Sequence, residues 1–97
     1  MTDLSSKEIA ALKSRSHDLT PALQIGKAGL SPGVVEEVKA QLDREPLVKL
    51  KLLKSALEEA DKRELAERLA AETGSVLVEV RGFTVVLYKP PRRRRAT

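Results

Sequence analysis

Two glycines three residues apart flank a lysine in the segment Gly26-Lys27-Ala28-Gly29, which follows a short apolar run. Glycine has no Cβ, so this backbone can adopt unusual dihedral angles and let a large ligand approach closely. Ser31 and Pro32 are typical of a helix start, where free N–H groups and the helix dipole favour an anion. A phosphate backbone would suit such a loop. An ordinary strand-to-helix turn can have the same spacing, so the loop alone leaves both interpretations open.

Two further lysines occur in an alternating pattern between residues 47 and 53. Val48, Leu50 and Leu52 alternate with Lys49 and Lys51, which predicts a strand with both lysines on the face opposite the three apolar side chains. The lysines could contact phosphates. A solvated sheet face, or the protection of a sheet edge against aggregation, would explain them equally well.

Positive charge is concentrated at the C-terminus of this 97-residue chain. The net charge is +4, but the residues from 89 onward carry five positive charges, so residues 1–88 have a net charge of −1. We therefore expect a single domain over residues 1–89 and a disordered basic tail over residues 90–97, which begins with two prolines. The tail contains four consecutive arginines that could bind RNA: Arg92, Arg93, Arg94 and Arg95.

Apolar periodicity and capping residues predict seven elements. The helices are expected over residues 5–15, 32–44 and 55–73, and the strands over residues 22–25, 47–53, 76–81 and 84–89. The first strand is apolar enough to be central in a sheet. The order α-β-α-β-α-β-β predicts an α/β sandwich in which three helices pack on a mixed four-stranded sheet.

Local signals refine these elements. Ser5 with Glu8, and Ser55 with Glu58, have the spacing of capping boxes, and Leu4 is placed for a hydrophobic staple with Ile9. Gly82-Phe83 suits a type II′ hairpin. We expect the first helix to bury Ile9, Ala11 and Leu12, and the side chains of Val76, Val78 and Val80 to share one sheet face.

Catalytic chemistry is not indicated by the sequence. There is no cysteine and one histidine, His17, and the chain has neither a Walker loop nor a dinucleotide-binding fingerprint. We expect no enzyme activity, no metal site and no cofactor. No apolar run approaches the roughly 20 residues of a membrane span, so a cytoplasmic protein that does not bind membranes is expected.

Four segments together resemble one protein family. They are Ile25-Gly26-Lys27-Ala28-Gly29-Leu30-Ser31, Leu47-Val48-Lys49-Leu50-Lys51, Glu72-Thr73-Gly74 and Gly82-Phe83-Thr84-Val85-Val86-Leu87-Tyr88-Lys89. Over residues 4–90 the chain resembles the CRM domain, the RNA-binding module of chloroplast splicing factors and bacterial ribosome maturation proteins. In its stand-alone bacterial form it is similar to the YhbY family.

The resemblance implies a fold similar to the C-terminal domain of bacterial translation initiation factor three. It also implies association with ribosomal RNA in precursors of the large ribosomal subunit. The family's G-x-x-G loop carries over onto Gly26, Lys27, Ala28 and Gly29, and its basic strand onto Lys49 and Lys51. The chain departs from the family at Glu45-Pro46, where a His-Glu pair is usual, and at Phe83, where a basic residue is usual.

The main hypothesis is therefore a monomeric RNA-binding protein that assists ribosome assembly without catalysis. A protein-interaction module whose arginine tail binds polyanions nonspecifically is the alternative, as is an RNA-binding factor for a non-ribosomal RNA. Removal of residues 90–97 separates the first two, because the interaction module would lose all RNA binding with its tail.

Overall fold

The computed structural model describes residues 5–26, 29–57 and 61–89. These ranges contain three α-helices, formed by Ser6–Ser16 (α1), Pro32–Arg44 (α2) and Lys62–Thr73 (α3). The same ranges contain four strands, formed by Leu23–Ile25 (β1), Leu47–Leu52 (β2), Val76–Arg81 (β3) and Thr84–Tyr88 (β4), and a 3₁₀ helix follows β2 over Lys54–Leu57. The predicted α-β-α-β-α-β-β order is confirmed.

The strands form one mixed sheet in the order β1-β2-β4-β3. β1 and β2 are parallel, and β4 pairs antiparallel with both β2 and β3. The prediction that β1 is a central strand is wrong. Apolar character indicated burial correctly for Ile25, which is fully buried, but β1 lies at the edge because β2 has β4 on its other side.

The sheet has a helical layer on each face. α2 and α3 cover one face over the main core, whose members with no exposed surface include Ile25, Val38, Leu50, Val85 and Leu87. α1 covers part of the other face over a smaller apolar cluster. That cluster contains Leu12, Leu47, Val78 and Val86, with Ile9 and Tyr88 packed against it. Ala11 is exposed, contrary to expectation, because only the Leu12 side of α1 meets the sheet.

Capping fixes where the helices begin. Ser5 and Glu8 form the predicted capping box on α1, with hydrogen bonds of 2.8 and 3.1 Å. The predicted start of the third helix at Ser55 is wrong. α3 begins at Lys62, because the Asp61 carboxylate accepts from the N–H groups of Arg63 and Glu64. Leu4 and Glu58 lie outside the described residues.

A β-bulge divides β3. Leu77 pairs with Leu87 and Glu79 pairs with Val86, so Val78 is an extra residue between them. The prediction that Val76, Val78 and Val80 share a face is therefore wrong. Val78 packs in the cluster under α1, whereas Val80 packs against the main core on the opposite face.

Within residues 5–26, 29–57 and 61–89, no helix has the length and apolar composition that crossing a bilayer requires. The same part of the chain contains no group of three or more histidine, cysteine, aspartate or glutamate side chains placed to hold a metal ion.

Candidate nucleic-acid interface

Three connections meet at one end of the sheet. β1 and β2 are parallel, so the loop after β1 and the 3₁₀ helix after β2 lie at the same end, and the β3–β4 hairpin turns there as well. Backbone hydrogen bonds join the three connections. The N–H of Leu53 donates to the Ile25 carbonyl at 2.9 Å, and that of Leu52 donates to the Phe83 carbonyl at 2.6 Å. A ligand at this end of the sheet could therefore touch all three.

The glycine loop is closed by a tight turn. The Gly29 N–H donates to the Gly26 carbonyl at 2.9 Å, and Gly29 has a φ of 64°, a conformation that other residues rarely adopt. Gly26 differs, because a Cβ there would make only ordinary contacts, at 3.5 Å from Leu53 Cδ1 and 3.7 Å from Ser55 Oγ. The turn itself requires glycine at position 29. Lys27 and Ala28 lie outside the described residues.

The first turn of α2 follows this loop directly. Ser31 is the N-cap, as predicted, and its Oγ accepts from the Val34 N–H at 3.3 Å. Pro32 has no N–H, so Gly33 carries the remaining N–H of the first turn that could bind an anion. A Cβ at Gly33 would meet only Ser31 Oγ, at 4.0 Å, so the space beside the Cα of this residue is open.

A polar row crosses the sheet beside the loop. Gln24 pairs with Lys51, Lys51 with Thr84, and Thr84 with Arg81, which places one residue of each strand in register. All four side chains are on the α1 side of the sheet, because they alternate with residues of the main core. Gln24, Lys51 and Arg81 are exposed. This row is the part of the sheet face that the α1 cluster leaves open.

Lys49 has a different environment from Lys51, although both are on the predicted face. Its Nζ donates to the backbone carbonyls of Ser16 and Leu19, at 3.2 and 3.3 Å, just where α1 ends. A cation is favourable at the C-terminus of a helix, where carbonyl groups lack partners. Lys49 therefore holds the end of α1 against the sheet, and Lys51 is the freer of the two for a phosphate.

Replacing Lys49 with methionine is expected to lower the free energy of unfolding by about 1 to 2 kcal/mol, because two carbonyl groups lose a charged donor. Lys51→Met is the matched control, with the same chemical change on an exposed residue, and should cost less than about 0.5 kcal/mol. Urea denaturation followed by circular dichroism measures both. Equal losses in the two variants would contradict the structural role of Lys49.

Cations at this end of the sheet differ in their ion pairing from the cations on the outer surfaces of α2 and α3. Lys39, Arg63 and Arg68 form ion pairs with Glu36, Glu67 and Glu72 within α2 or α3. The cations of the sheet end are Lys51, Lys54, Lys62 and Arg81. Within the described ranges, none of these four has a carboxylate oxygen within 4.0 Å of its charged nitrogen. We call these four residues the basic end.

Phe83 lies at the tip of the hairpin in the basic end. Its side chain is 47% exposed, and Gly82 before it has a φ of 58°, as a type II′ turn requires of its first central residue. Lys62 lies over the ring with its Nζ 5.5 Å from the ring centroid, and the same Nζ donates to the Gly82 carbonyl at 2.8 Å. Lys62 thus fixes the hairpin against α3 and brings a positive charge beside an exposed aromatic ring.

A cleft of about 430 Å³ opens on the sheet face where α1 ends. Its lining residues are Ser16, His17, Lys49, Glu79, Arg81, Thr84 and Val86. His17 follows α1 and its Nε2 lies 3.0 Å from Arg81 Nη1. Sequence reasoning did not select Lys54, Lys62, Arg81 or Glu79 as functional candidates. Only the packing of α1 on the sheet, which brings residues 17 and 81 together, could have identified this cleft.

Comparison with known proteins agrees with the architecture. Residues 4–89 match the model of the CRS1 / YhbY (CRM) domain family. The Bacillus subtilis protein named "Probable RNA-binding protein YqeI" is 34% identical over 92 residues, which cover 95% of this chain and 94% of that protein. A Haemophilus influenzae protein named "RNA-binding protein" is 32% identical over 93% of this chain and 89% of its own length.

A solved structure has the same fold. The solution structure of a hypothetical protein from Staphylococcus aureus superimposes with a TM-score of 0.79, at 32% sequence identity, and the match covers 96% of this chain and 95% of that one. The resemblance inferred from four sequence segments is thereby confirmed. The chain belongs to the CRS1 / YhbY (CRM) domain family.

Proposed function

We propose that this protein binds RNA through the basic end and the adjacent glycine loop. Two relatives that match nearly the whole chain have RNA binding in their names, which supports a nucleic-acid ligand. The RNA proposed is ribosomal RNA in precursors of the large subunit, with the protein acting as a monomeric, non-catalytic assembly factor in the cytoplasm. This finer part rests on the family resemblance.

The main support for the RNA-binding proposal is that, in the described part of the chain, cations on the outer helix surfaces are paired with carboxylates, whereas the cations of the basic end are not. Cations on the outer surfaces of α2 and α3 are paired with carboxylates three or four residues away. The cations of the basic end have no such partner among the described residues, although they come from β2, the 3₁₀ helix, α3 and β3. Because residues 1–88 have a net charge of −1, this face is positive by arrangement and not by excess charge.

Phosphate contacts should dominate the binding. Phe83 and Tyr88 are the only aromatic side chains in the sequence, too few for a stacking platform that holds several bases. Gly26, Lys27, Ala28 and Gly29 would admit and pair with the RNA backbone, and the Gly33 N–H would add a donor beside them. Lys51, Lys54 and Arg81 would extend the contact across the sheet, with Lys49 at its border. Arg92, Arg93, Arg94 and Arg95 would widen the electrostatic footprint.

A salt titration tests this proposal. If about five phosphates are neutralised, log affinity for single-stranded RNA should fall with log salt at a slope of roughly −3.5. A chain ending at residue 89 keeps Lys51, Lys54 and Arg81, which alone account for a slope of roughly −2. Fluorescence anisotropy with labelled RNA measures both slopes.

The two chain lengths also separate the alternatives. An interaction module with a polyanion-binding tail would lose all RNA binding when residues 90–97 are removed. If the shortened chain loses all RNA binding, or if its log affinity does not change with log salt, binding through the basic end is refuted. In the shortened chain Lys27→Glu should weaken binding further, because it reverses the charge within the glycine loop.

A further inference from the structure

The cleft where α1 ends contains an acidic side chain that the phosphate-binding face does not explain. Glu79 is 18% exposed, and it lies on the α1 side of the sheet because the bulge at Val78 precedes it. A carboxylate would repel an RNA phosphate. Its presence beside Lys49 and Arg81 therefore points to a ligand group that donates hydrogen bonds.

Glu79 has no hydrogen-bond donor within reach among the residues that the structure describes. The nearest nitrogen of a basic side chain is His17 Nε2, which is 4.0 Å from Glu79 Oε1. That nitrogen is 3.0 Å from Arg81 Nη1, and a guanidinium can only donate. In this contact His17 Nε2 therefore accepts from Arg81 and does not donate to Glu79. Among the described residues no buried side-chain oxygen lacks a partner, so the Glu79 oxygens are open to the cleft. They are free to accept hydrogen bonds from a ligand that enters it.

The rest of the cleft suits a nucleobase. Val86, which is 2% exposed, gives it an apolar floor, and Thr84 adds a hydroxyl. A volume of about 430 Å³ lies within the roughly 300–1,000 Å³ range of small-ligand sites. Lys51, in register with Thr84, lies next to the cleft in the polar row, where a phosphate of the same strand could bind. Unpaired RNA bases are commonly bound by hydrogen bonds to their Watson–Crick edges.

We infer that this cleft binds an unpaired guanine of the RNA, with the Glu79 carboxylate accepting from the N1–H and the N2 amino group of the base. Guanine is the standard RNA base with two adjacent donors on its Watson–Crick edge, which match the two oxygens of a carboxylate. Arg81 would remain on His17 and contact the neighbouring phosphate. This inference rests on the proposed RNA-binding function, to which it adds base specificity.

Short oligouridines with one central guanosine, inosine or uridine test the inference, with the full chain and anisotropy as the measurement. The guanosine oligomer should bind roughly tenfold more tightly than the uridine oligomer, and inosine, which lacks the N2 amino group, should lose most of that gain. Glu79→Gln should abolish the preference, because its amide places a donor against the donors of guanine. Binding of the uridine oligomer should be unchanged or stronger.

Glu72→Gln is the matched control, since it makes the same change on the outer surface of α3, where Glu72 pairs with Arg68. It should keep the guanosine preference. If all three oligomers bind equally while the salt dependence persists, the guanine site is refuted and the RNA-binding proposal stands. If no oligomer binds at any salt concentration, the RNA-binding proposal fails instead. Guanosine monophosphate then tests the cleft by nuclear magnetic resonance, where unshifted Val86 and Thr84 signals would refute the site.

Discussion

Replacing Leu50 with alanine is expected to lower the free energy of unfolding by about 2 to 5 kcal/mol. Leu50 has no exposed surface and lies in β2, where its cross-strand neighbours are Leu23 on one side and Val85 on the other. Truncation removes buried methyl groups from between α2, α3 and the sheet and leaves a cavity that the flanking strands cannot close. Total stabilities of small domains are about 5–15 kcal/mol, so a large share would be lost.

Urea denaturation measures this loss, and Leu19→Ala is the control. Leu19 is 36% exposed, so removal of the same atoms there should cost less than about 0.5 kcal/mol. The RNA affinity of the folded Leu50→Ala protein should remain close to that of the natural sequence, because Leu50 does not face the basic end. If Leu50→Ala were as stable as Leu19→Ala, the placement of β2 at the centre of the core would be wrong.

Reversing the charges of Lys51 and Lys54 together is expected to weaken RNA binding by about a hundredfold, roughly tenfold for each lost charged contact. The salt dependence should also become shallower, by about 1.4 in slope, because two phosphate contacts disappear. Both side chains are exposed and neither has a carboxylate partner among the described residues, so the fold should tolerate the changes. Anisotropy titrations at several salt concentrations measure both effects.

The matched control reverses Lys39 and Arg68, two cations on the outer surfaces of α2 and α3. Both double variants change the net charge from +4 to 0, so they differ only in where the charge is placed. The control should keep its affinity to within about threefold, since its cations face carboxylates and not the glycine loop. Equal losses in both variants would indicate attraction by net charge and refute a defined binding face.

The same pair of variants tests the ribosomal part of the proposal. In a sucrose gradient of host lysate at low magnesium, the natural protein should sediment with free large-subunit particles or their precursors. Lys51→Glu with Lys54→Glu should move it to the top of the gradient, and the control variant should not. If the natural protein stays at the top at every salt concentration, the bound RNA is not ribosomal; salt-dependent binding in the anisotropy assay would then preserve the RNA-binding proposal alone.

Local patterns were sufficient to predict most of the elements. The capping box at Ser5, the Ser31-Pro32 helix start and the glycine after Thr73 each determine a helix end by contacts within a few residues. The third helix was the exception, because Ser55 and Asp61 are both plausible caps. Asp61 is the cap in the structure, and residues 54–57 form a 3₁₀ helix instead.

Features that depend on pairing between strands could not be predicted in the same way. Apolar content indicates that β1 is buried but not which strand lies beside it, so its edge position was missed. Alternation likewise placed Lys49 and Lys51 on the same face. It could not show that Lys49 contacts the end of α1, since residues 16 and 49 are brought together only by the fold. The G-x-x-G loop was recognisable because its residues are contiguous.

The bulge in β3 has a consequence for comparing members of the family. The extra residue of the bulge places two successive side chains, Val78 and Glu79, on the same face of the sheet. Val78 contacts the cluster under α1, and Glu79 contributes a carboxylate to the cleft. Deleting either residue would restore regular pairing and leave Leu77 and Val80 on their present face. A one-residue gap at this position in a homologue could therefore preserve the fold and remove the acidic group. If the cleft selects guanine as we infer, relatives with and without that gap would differ in which nucleotide they select, while sharing the same glycine loop.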